Sequence, residues 1–434
     1  MYEIKKVKNK EDEETKNMDI PALFDEIVSS PVSATTPLPT TPISALTPLP
    51  TTPVTHTTPL PTIHLTPLPT TPLSTIPLTQ EPIPTVTTPN DGESKPLSQG
   101  FFMDSKVMLY NGEIKLCYEL KINDILMGDD SRPRQLLSKT KVTNPELFII
   151  KQKKGKPYII NRDNFITLKV SRLNPNEQKT KLLDKEYSKH DSIDIRLDDY
   201  MKLSKRRQLD FKAYKTSIDF DSQPLPFNPY LFGIWVIDSQ SMGNEFSINN
   251  IDVLEACFNL CQNTNMSCNY IRENKYCILY EDDTKKDFND VLNKLKLDQS
   301  KFIPTIYKCN SKENRLKVLA GIIDTEGFCN NNSIELTLKS PQLIEDIMFL
   351  CNSLGLYTSQ SQQKNRSRIR LIISGDFSEV PLINKKKILH RKHYKNVLHS
   401  GLDIEPYNHT NDCYELKVDG NGRFVLSDFT VVHC

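Results

Sequence analysis

Two apolar segments of the chain end in an acid at the same place. Tyr230-Leu231-Phe232-Gly233-Ile234-Trp235-Val236-Ile237-Asp238 and Val318-Leu319-Ala320-Gly321-Ile322-Ile323-Asp324-Thr325-Glu326-Gly327 each carry a small residue, Gly233 or Gly321. Five positions later each has a carboxylate, Asp238 or Glu326. Uninterrupted apolar runs of this length predict buried helices. Glycine lets two helix backbones approach closely, so helices packed glycine to glycine would bring both acids to one spot. Converging carboxylates suit hard divalent cations, and such cations serve phosphodiester hydrolysis by acting on the attacking and leaving oxygens. A single apolar helix ending in an acid is usually plain core. Two of them in matching register, 88 residues apart, make a pattern.

Ahead of the second segment runs Lys301-Phe302-Ile303-Pro304-Thr305-Ile306-Tyr307-Lys308, followed by Asn310-Ser311 and Glu313-x-Arg315. Together with the paired segments, this run resembles the motifs of LAGLIDADG homing endonucleases carried inside inteins. The resemblance implies that Asp238 and Glu326 hold Mg²⁺ and that Asp324 is structural. It implies that Lys301 lies beside the metal and helps organise the attacking water or neutralise charge. A second lysine is implied from the other half, placed by similarity at Lys386 in the Asn384-Lys385-Lys386-Lys387 run. The implied partner is double-stranded DNA with a long specific site, read in the major groove where base edges are distinguishable, by a monomer. Two positions depart from the pattern: Asp238 is followed by Ser239 rather than Gly, and Glu326 stands where Asp is usual.

The elements that must position these residues fall into two kinds. From Gly100, strand-sized apolar runs and turn residues predict an all-β start: Val107–Leu109, an Asn111-Gly112 turn, Ile114–Leu116, then Ile125–Met127, Phe148–Lys151, Tyr158–Asn161 and Ile166–Val170. From Pro226 the period turns helical, with helices and strands alternating to about Gly375. Cys413–Val432 returns to β. One all-β unit is thus split by an α+β insertion. Its last stretch, Gly420 to Cys434, resembles the C-terminal blocks of inteins of the eukaryotic and giant-virus kind. Splicing needs a nucleophile at the first position, a histidine in the second block and a terminal His-Asn. Gly100, Asn164 and, after His433, Cys434 stand there instead. Ser98 could serve only if the first hairpin slipped by two residues.

The fold class expected is therefore multidomain: a disordered Thr/Pro-rich tail over 1–99, an all-β Hint (hedgehog/intein) domain from 100–215 and 400–434, and an α+β LAGLIDADG domain with two pseudo-symmetric halves over 226–390. The function expected is metal-dependent, site-specific cutting of both DNA strands within a splicing-deficient intein frame. The alternatives are a catalytically dead DNA-binding relic and an intein that keeps partial autoprocessing.

Composition sets the limits around this reading. Residues 1–99 hold six Lys against eleven Asp and Glu, and their only aromatics are Tyr2 and Phe24, too few to offset the entropy of ordering. Within them TPLP recurs from Thr36, Thr47, Thr58 and Thr66, a spacing that predicts an extended, polyproline-like segment. The remainder carries 49 basic and 43 acidic residues, a balance that permits nucleic-acid binding without arguing for it. Its run from 172 to 215, with Lys202, Lys205, Arg206, Arg207, Lys212 and Lys215, is either a DNA-contact region or a solvated charged loop. The ten cysteines show no metal spacing, no charged-then-apolar leader opens the chain, and no apolar run reaches the ~18 residues of a membrane span. An intracellular protein, nuclear or cytoplasmic, with reduced thiols and no membrane partner is expected. A chain beginning at residue 100 should keep the circular-dichroism melt and DNA affinity of the full chain. Unfolding or a tenfold loss of affinity, about 1.4 kcal/mol, would make the tail part of the machine.

Overall fold

The two apolar segments are helices, and what makes them so is local. Asn228 caps the first, α1 (Pro229–Ile237), its side chain accepting from the amides of Tyr230 and Leu231, with Pro229 supplying a preset φ in the first turn. All nine residues of α1 are buried, so it has no polar face and lies inside the core. Its half of the insertion continues with β1 (Glu245–Ser247), α2 (Ile251–Gln262), β2 (Met266–Arg272) and β3 (Lys275–Tyr280). The second apolar segment is the end of α3 (Lys312–Glu326), capped by the Ser311 side chain. Then come β4 (Phe328–Asn330), β5 (Ser333–Leu338), α4 (Pro341–Ser353), β6 (Tyr357–Gln362) and β7 (Ile369–Ser374). The antiparallel sheets have the orders β1-β3-β2 and β4-β5-β7-β6. The first half thus runs helix, strand, helix, strand, strand; the second repeats this order with one extra strand, β4, directly after its first helix, and β1-β3-β2 matches β5-β7-β6 in order. The two halves share one apolar core drawn from residues between Phe227 and Val380.

This computed structural model describes residues 99–434 except 174–175, 177, 183, 239–242, 265, 281–287, 331–332, 363–367, 388–395 and 410. The Thr/Pro-rich tail, with its expected disorder, and Ser98 lie outside the described residues. Among those described, no helix is long and apolar enough to cross a membrane, and all ten cysteines are free thiols.

A second apolar core is drawn from residues between Phe101 and Ala213 and again between Leu416 and Val432. The strands around it interleave the two ends of the chain. A seven-stranded antiparallel sheet has the order Leu402–Pro406, Leu147–Gln152, Tyr158–Asn161, Phe101–Phe102, Cys413–Val418, Pro133–Val142, Ile125–Met127. Phe101 lies opposite both Tyr414 and Ile160. In a four-stranded sheet, Ala213 and Tyr214 pair with Ser400 and His399, so the strand leaving this unit for the insertion lies beside the strand that returns from it.

The run from 172 to 215 is neither an open loop nor a free basic arm. It forms a hairpin (Lys179–Leu182 with Lys185–Ser188), a strand at Ser192–Arg196, two short helices and the strand Phe211–Tyr214. Lys215 is buried against Asp428 at 3.2 Å, Lys202 pairs with Asp198 and Asp199, and Arg207 with Asp210. Of these residues only Lys215 is buried with its partner, while Lys202 keeps an exposed side chain beside its acids.

α1 and α3 meet backbone to backbone. A Cβ on Gly233 would stand 2.2 Å from the Val318 carbonyl oxygen, and one on Gly321 would stand 2.2 Å from that of Tyr230. The two contacts are images of each other, since Tyr230 and Val318 share the 88-residue offset. Neither carbonyl can swing aside without breaking helix. Gly321→Ala should therefore cost about 1–3 kcal/mol of unfolding free energy, the usual price of overpacking, in a denaturant titration. A change below about 0.5 kcal/mol would show that the helices part freely.

Candidate active site

Each acid stands five residues past the glycine contact, about 7–8 Å along its helix at 1.5 Å per residue. Asp238 ends α1 as its C-cap with extended backbone, and it is 5% exposed. Glu326 is the last residue of α3 and is exposed. Asp324, two residues earlier, is buried and spends its carboxylate on the fold. It accepts from the Tyr230 hydroxyl at 2.8 Å and from the amides of Ile383 and Asn384 at 2.8 and 3.2 Å. Burial pushes its pKa up against those hydrogen bonds.

A lysine closes the end of each helix. The Lys301 ammonium donates to the carbonyls of Trp235 and Asp238 at 2.7 and 2.6 Å and lies 4.4 Å from the Trp235 ring centroid. Burial lowers its pKa to about 8, with Asp238 pulling the other way and Lys275 adding to the fall. The residues between Lys301 and α3 hold it in place. The Ile303 amide donates to the buried Asp346 carboxylate at 3.0 Å, and Lys308 pairs with that same carboxylate. Tyr307 stacks on Phe232 of α1 at 4.0 Å.

In the other half the corresponding lysine is Lys387. Its ammonium donates to the carbonyls of Ile323, Asp324 and Thr325 at 2.9, 2.9 and 3.2 Å. Burial lowers its pKa, opposed by Asp324, Cys329 and Glu326. Lys386, expected in this place, is exposed instead. The Asp324 carboxylate holds the Ile383–Asn384 turn, and the short 3-10 turn Lys385–Lys387 that follows leaves the third lysine facing the helix end. In a run of three lysines the sequence could not say which one this turn would aim inward.

Sequence reasoning missed Lys275 and Asp346. Lys275 opens β3 and its ammonium is 3.6 Å from the Asp238 carboxylate. It comes from a hairpin whose residues alone give no sign that they reach α1. Among the described residues no three His, Cys, Asp or Glu side chains gather into a metal-holding group. The donor set the helices offer is two carboxylates, one at each helix end, each flanked by lysine.

Of the positions that splicing chemistry would need, Gly100 and Asn164 are hydrogen-bonded to each other. The Gly100 amide donates to the Asn161 side-chain oxygen at 2.9 Å, and the Gly100 carbonyl accepts from the fully buried Asn164 side chain at 3.1 Å. A Cβ on Gly100 would stand 2.3 Å from the Cys413 sulfur, so a side chain there would require that thiol to turn aside. His433 packs its ring on Phe165, the neighbour of Asn164, at 5.1 Å. Burial pushes the Cys434 thiol up to about 11.

Residues 313–379 match the family model of a LAGLIDADG-like domain. No curated protein matches the sequence. Among solved structures, mesophilic variants of the homing endonuclease I-DmoI align at TM-score 0.26 and 15% identity over 34% of this chain and 87% of theirs. I-DmoI in complex with DNA and Mn aligns at TM-score 0.26 and 13% identity over 34% and 88%. The Msm DnaB1 intein splicing domain bound with zinc aligns at TM-score 0.15 and 13% identity over 22% and 82%.

The LAGLIDADG-like stretch begins at α3 and ends just past β7, so it contains Glu326 but neither Asp238 nor Lys301. A pH test reaches Lys301 without any assay of activity. The unfolded chain holds this proton to about 10.5 and the folded chain releases it near 8. Between those values the unfolded state binds more protons, so folding gains stability as pH rises. Relative to Lys301→Met, the wild-type protein should become more stable between pH 8 and 10.5. Parallel denaturant titrations with a constant gap would show an ordinary, solvated lysine.

Proposed function

We propose that this chain is a site-specific DNA endonuclease that cuts both strands with Mg²⁺, carried in an intein-like β frame that no longer splices. The observation that carries this reading is the matched pair of helix ends: Asp238 with Lys301, and Glu326 with Lys387, at equal distances past one glycine contact. Two carboxylates are a sparse set for an all-protein metal cage. They suit a cation that keeps its waters and completes its shell with substrate phosphates. When bound, the cation would supply a more acidic water and offset charge on the departing oxygen.

The chain's own residues supply the rest. Asp238 and Glu326 would orient the cation against the backbone. Lys301 and Lys387, pinned by helix carbonyls, would set positive charge beside each phosphate without the entropy cost of a free side chain. The open faces of both sheets would lie along the major groove. The polar side chains there, among them Ser247, Asn269, Ser333, Thr337, Ser359 and Arg370, are donors and acceptors suited to base edges. Two halves in one chain present the two-fold pattern of a dimer, so a monomer would address both strands. The doubly held Gly100 peptide and the crowding against Cys413 speak against self-cleavage. Free thiols throughout suit an intracellular setting.

The test starts from a pool of randomised duplexes with Mg²⁺ or Mn²⁺, with the cut ends sequenced to recover a target. Asp238→Asn and Glu326→Gln should each lower cleavage of that target by orders of magnitude, because groups acting as a unit fail together. Binding should hold or tighten, since a carboxylate facing phosphate without its metal is repulsive. Cutting by Asp238→Asn at the wild-type rate would refute the site. Specific binding with no cutting by the wild type would leave a DNA-binding relic.

A further inference from the structure

Directly after Glu326 and Gly327, β4 presents a phenylalanine to solvent. Phe328 is 66% exposed, a larger fraction than any other exposed large apolar residue among those described. Its neighbour Cys329 turns the other way, against the core, with its sulfur donating to the Lys387 carbonyl at 3.2 Å. Alternation along a strand therefore fixes Phe328 on the open face of the sheet. Strand register extends that face into a row. Phe328 lies opposite Glu335, Glu335 opposite Ile372, and Ile372 opposite Ser359. The next row is Asn330, Ser333, Ser374 and Tyr357, and Thr337, Arg370 and Ser361 follow on the other side. The face is thus mostly hydrogen-bonding groups, with a bare aromatic ring at the end nearest the acid.

Resting on the nuclease reading above, we propose that Phe328 lies against the base pairs at the centre of the cut site, as a wedge that makes the choice of target depend on how easily the central step unstacks. The occupant follows from position. One residue, Gly327, separates Phe328 from Glu326, so a duplex whose phosphate reaches Glu326 must bring its central base pairs to Phe328. A planar apolar ring has no hydrogen bond to offer a base edge. What it offers is a surface for an opened step, and pyrimidine–purine steps open most readily. The wedge comes from one half only. By the 88-residue offset the counterpart in the first half is Gln240, which lies outside the described residues, so the central preference should be asymmetric between strands.

The experiment uses the full chain and the target recovered from the randomised pool. Duplexes with the central step varied are assayed for cutting, and 2-aminopurine placed at that step reports unstacking on binding. The wild-type protein should favour a pyrimidine–purine step by about tenfold and raise the 2-aminopurine fluorescence. Phe328→Ser should lose both while keeping its thermal transition and its preferences in the flanks, and Phe328→Trp should retain them. Equal central preference and equal fluorescence in Phe328→Ser would overturn the proposal. So would a dimer of the wild type, seen in sedimentation, that Phe328→Ser dissolves, because a second copy would then cover the ring. If the protein binds without cutting, the target comes from binding selection and fluorescence alone decides. If no duplex is bound or cut, the nuclease reading itself fails.

Discussion

Everything at the candidate site depends on how closely α1 and α3 approach. With Gly233 and Gly321 facing each other, each helix sets its backbone against a carbonyl of the other, Val318 on one side and Tyr230 on the other. No side chain stands between them. Such a contact defines position more tightly than interlocked side chains do, because main-chain atoms inside a helix have no rotamers to adjust. The relation between the two helix ends is thereby inherited from the relation between two glycines. The Tyr230–Asp324 hydrogen bond and the Tyr307–Phe232 stack then fix what glycine alone leaves free, the rotation of each helix about its axis.

The lysines answer a second problem that the helices create. The last carbonyls of a helix have no partner within it and carry the negative end of its dipole. Both helices end in an acid, which adds more negative charge where the dipole already disfavours it. Lys301 and Lys387 donate to those carbonyls, so one cation per helix caps the backbone and offsets the carboxylate. Each lysine is paid for by desolvation, visible in its lowered pKa. Groups held this way have their positions set by the fold itself.

How much of this could be read in the sequence depends on how local each feature is. The helices, their glycines and both acids were legible because each motif lies in one contiguous segment with its own cap. Lys301 was legible because the Ile303-Pro304 and Tyr307-Lys308 signals sit beside it. Lys387 was blurred with Lys386, since the choice is made by a turn bonded to Asp324, 63 residues upstream. Lys275 and Asp346 act across the fold, and nothing next to either announces its partner. In the stretch from 172 to 215, counting charges gave no view of pairing. Lys215 and Asp428 are more than 200 residues apart in the chain, yet buried together.

The β unit has a physical role in holding the ends of the insertion together. An insertion of this size would leave its ends far apart unless something held them, and the cost of closing a loop rises with its length. Pairing of Ala213 and Tyr214 with Ser400 and His399 brings the two ends side by side. A smaller cluster then joins the units: Met108, Met127, Val425 and Phe429 meet Ile218, with Phe349 of α4 on Phe429 at 5.1 Å. Arg315, fully buried near the start of α3, donates to the Ile218 carbonyl at 2.6 Å and to Ser353 at 2.6 Å. The helix that ends in Glu326 is therefore anchored near its start to the segment leaving the β unit.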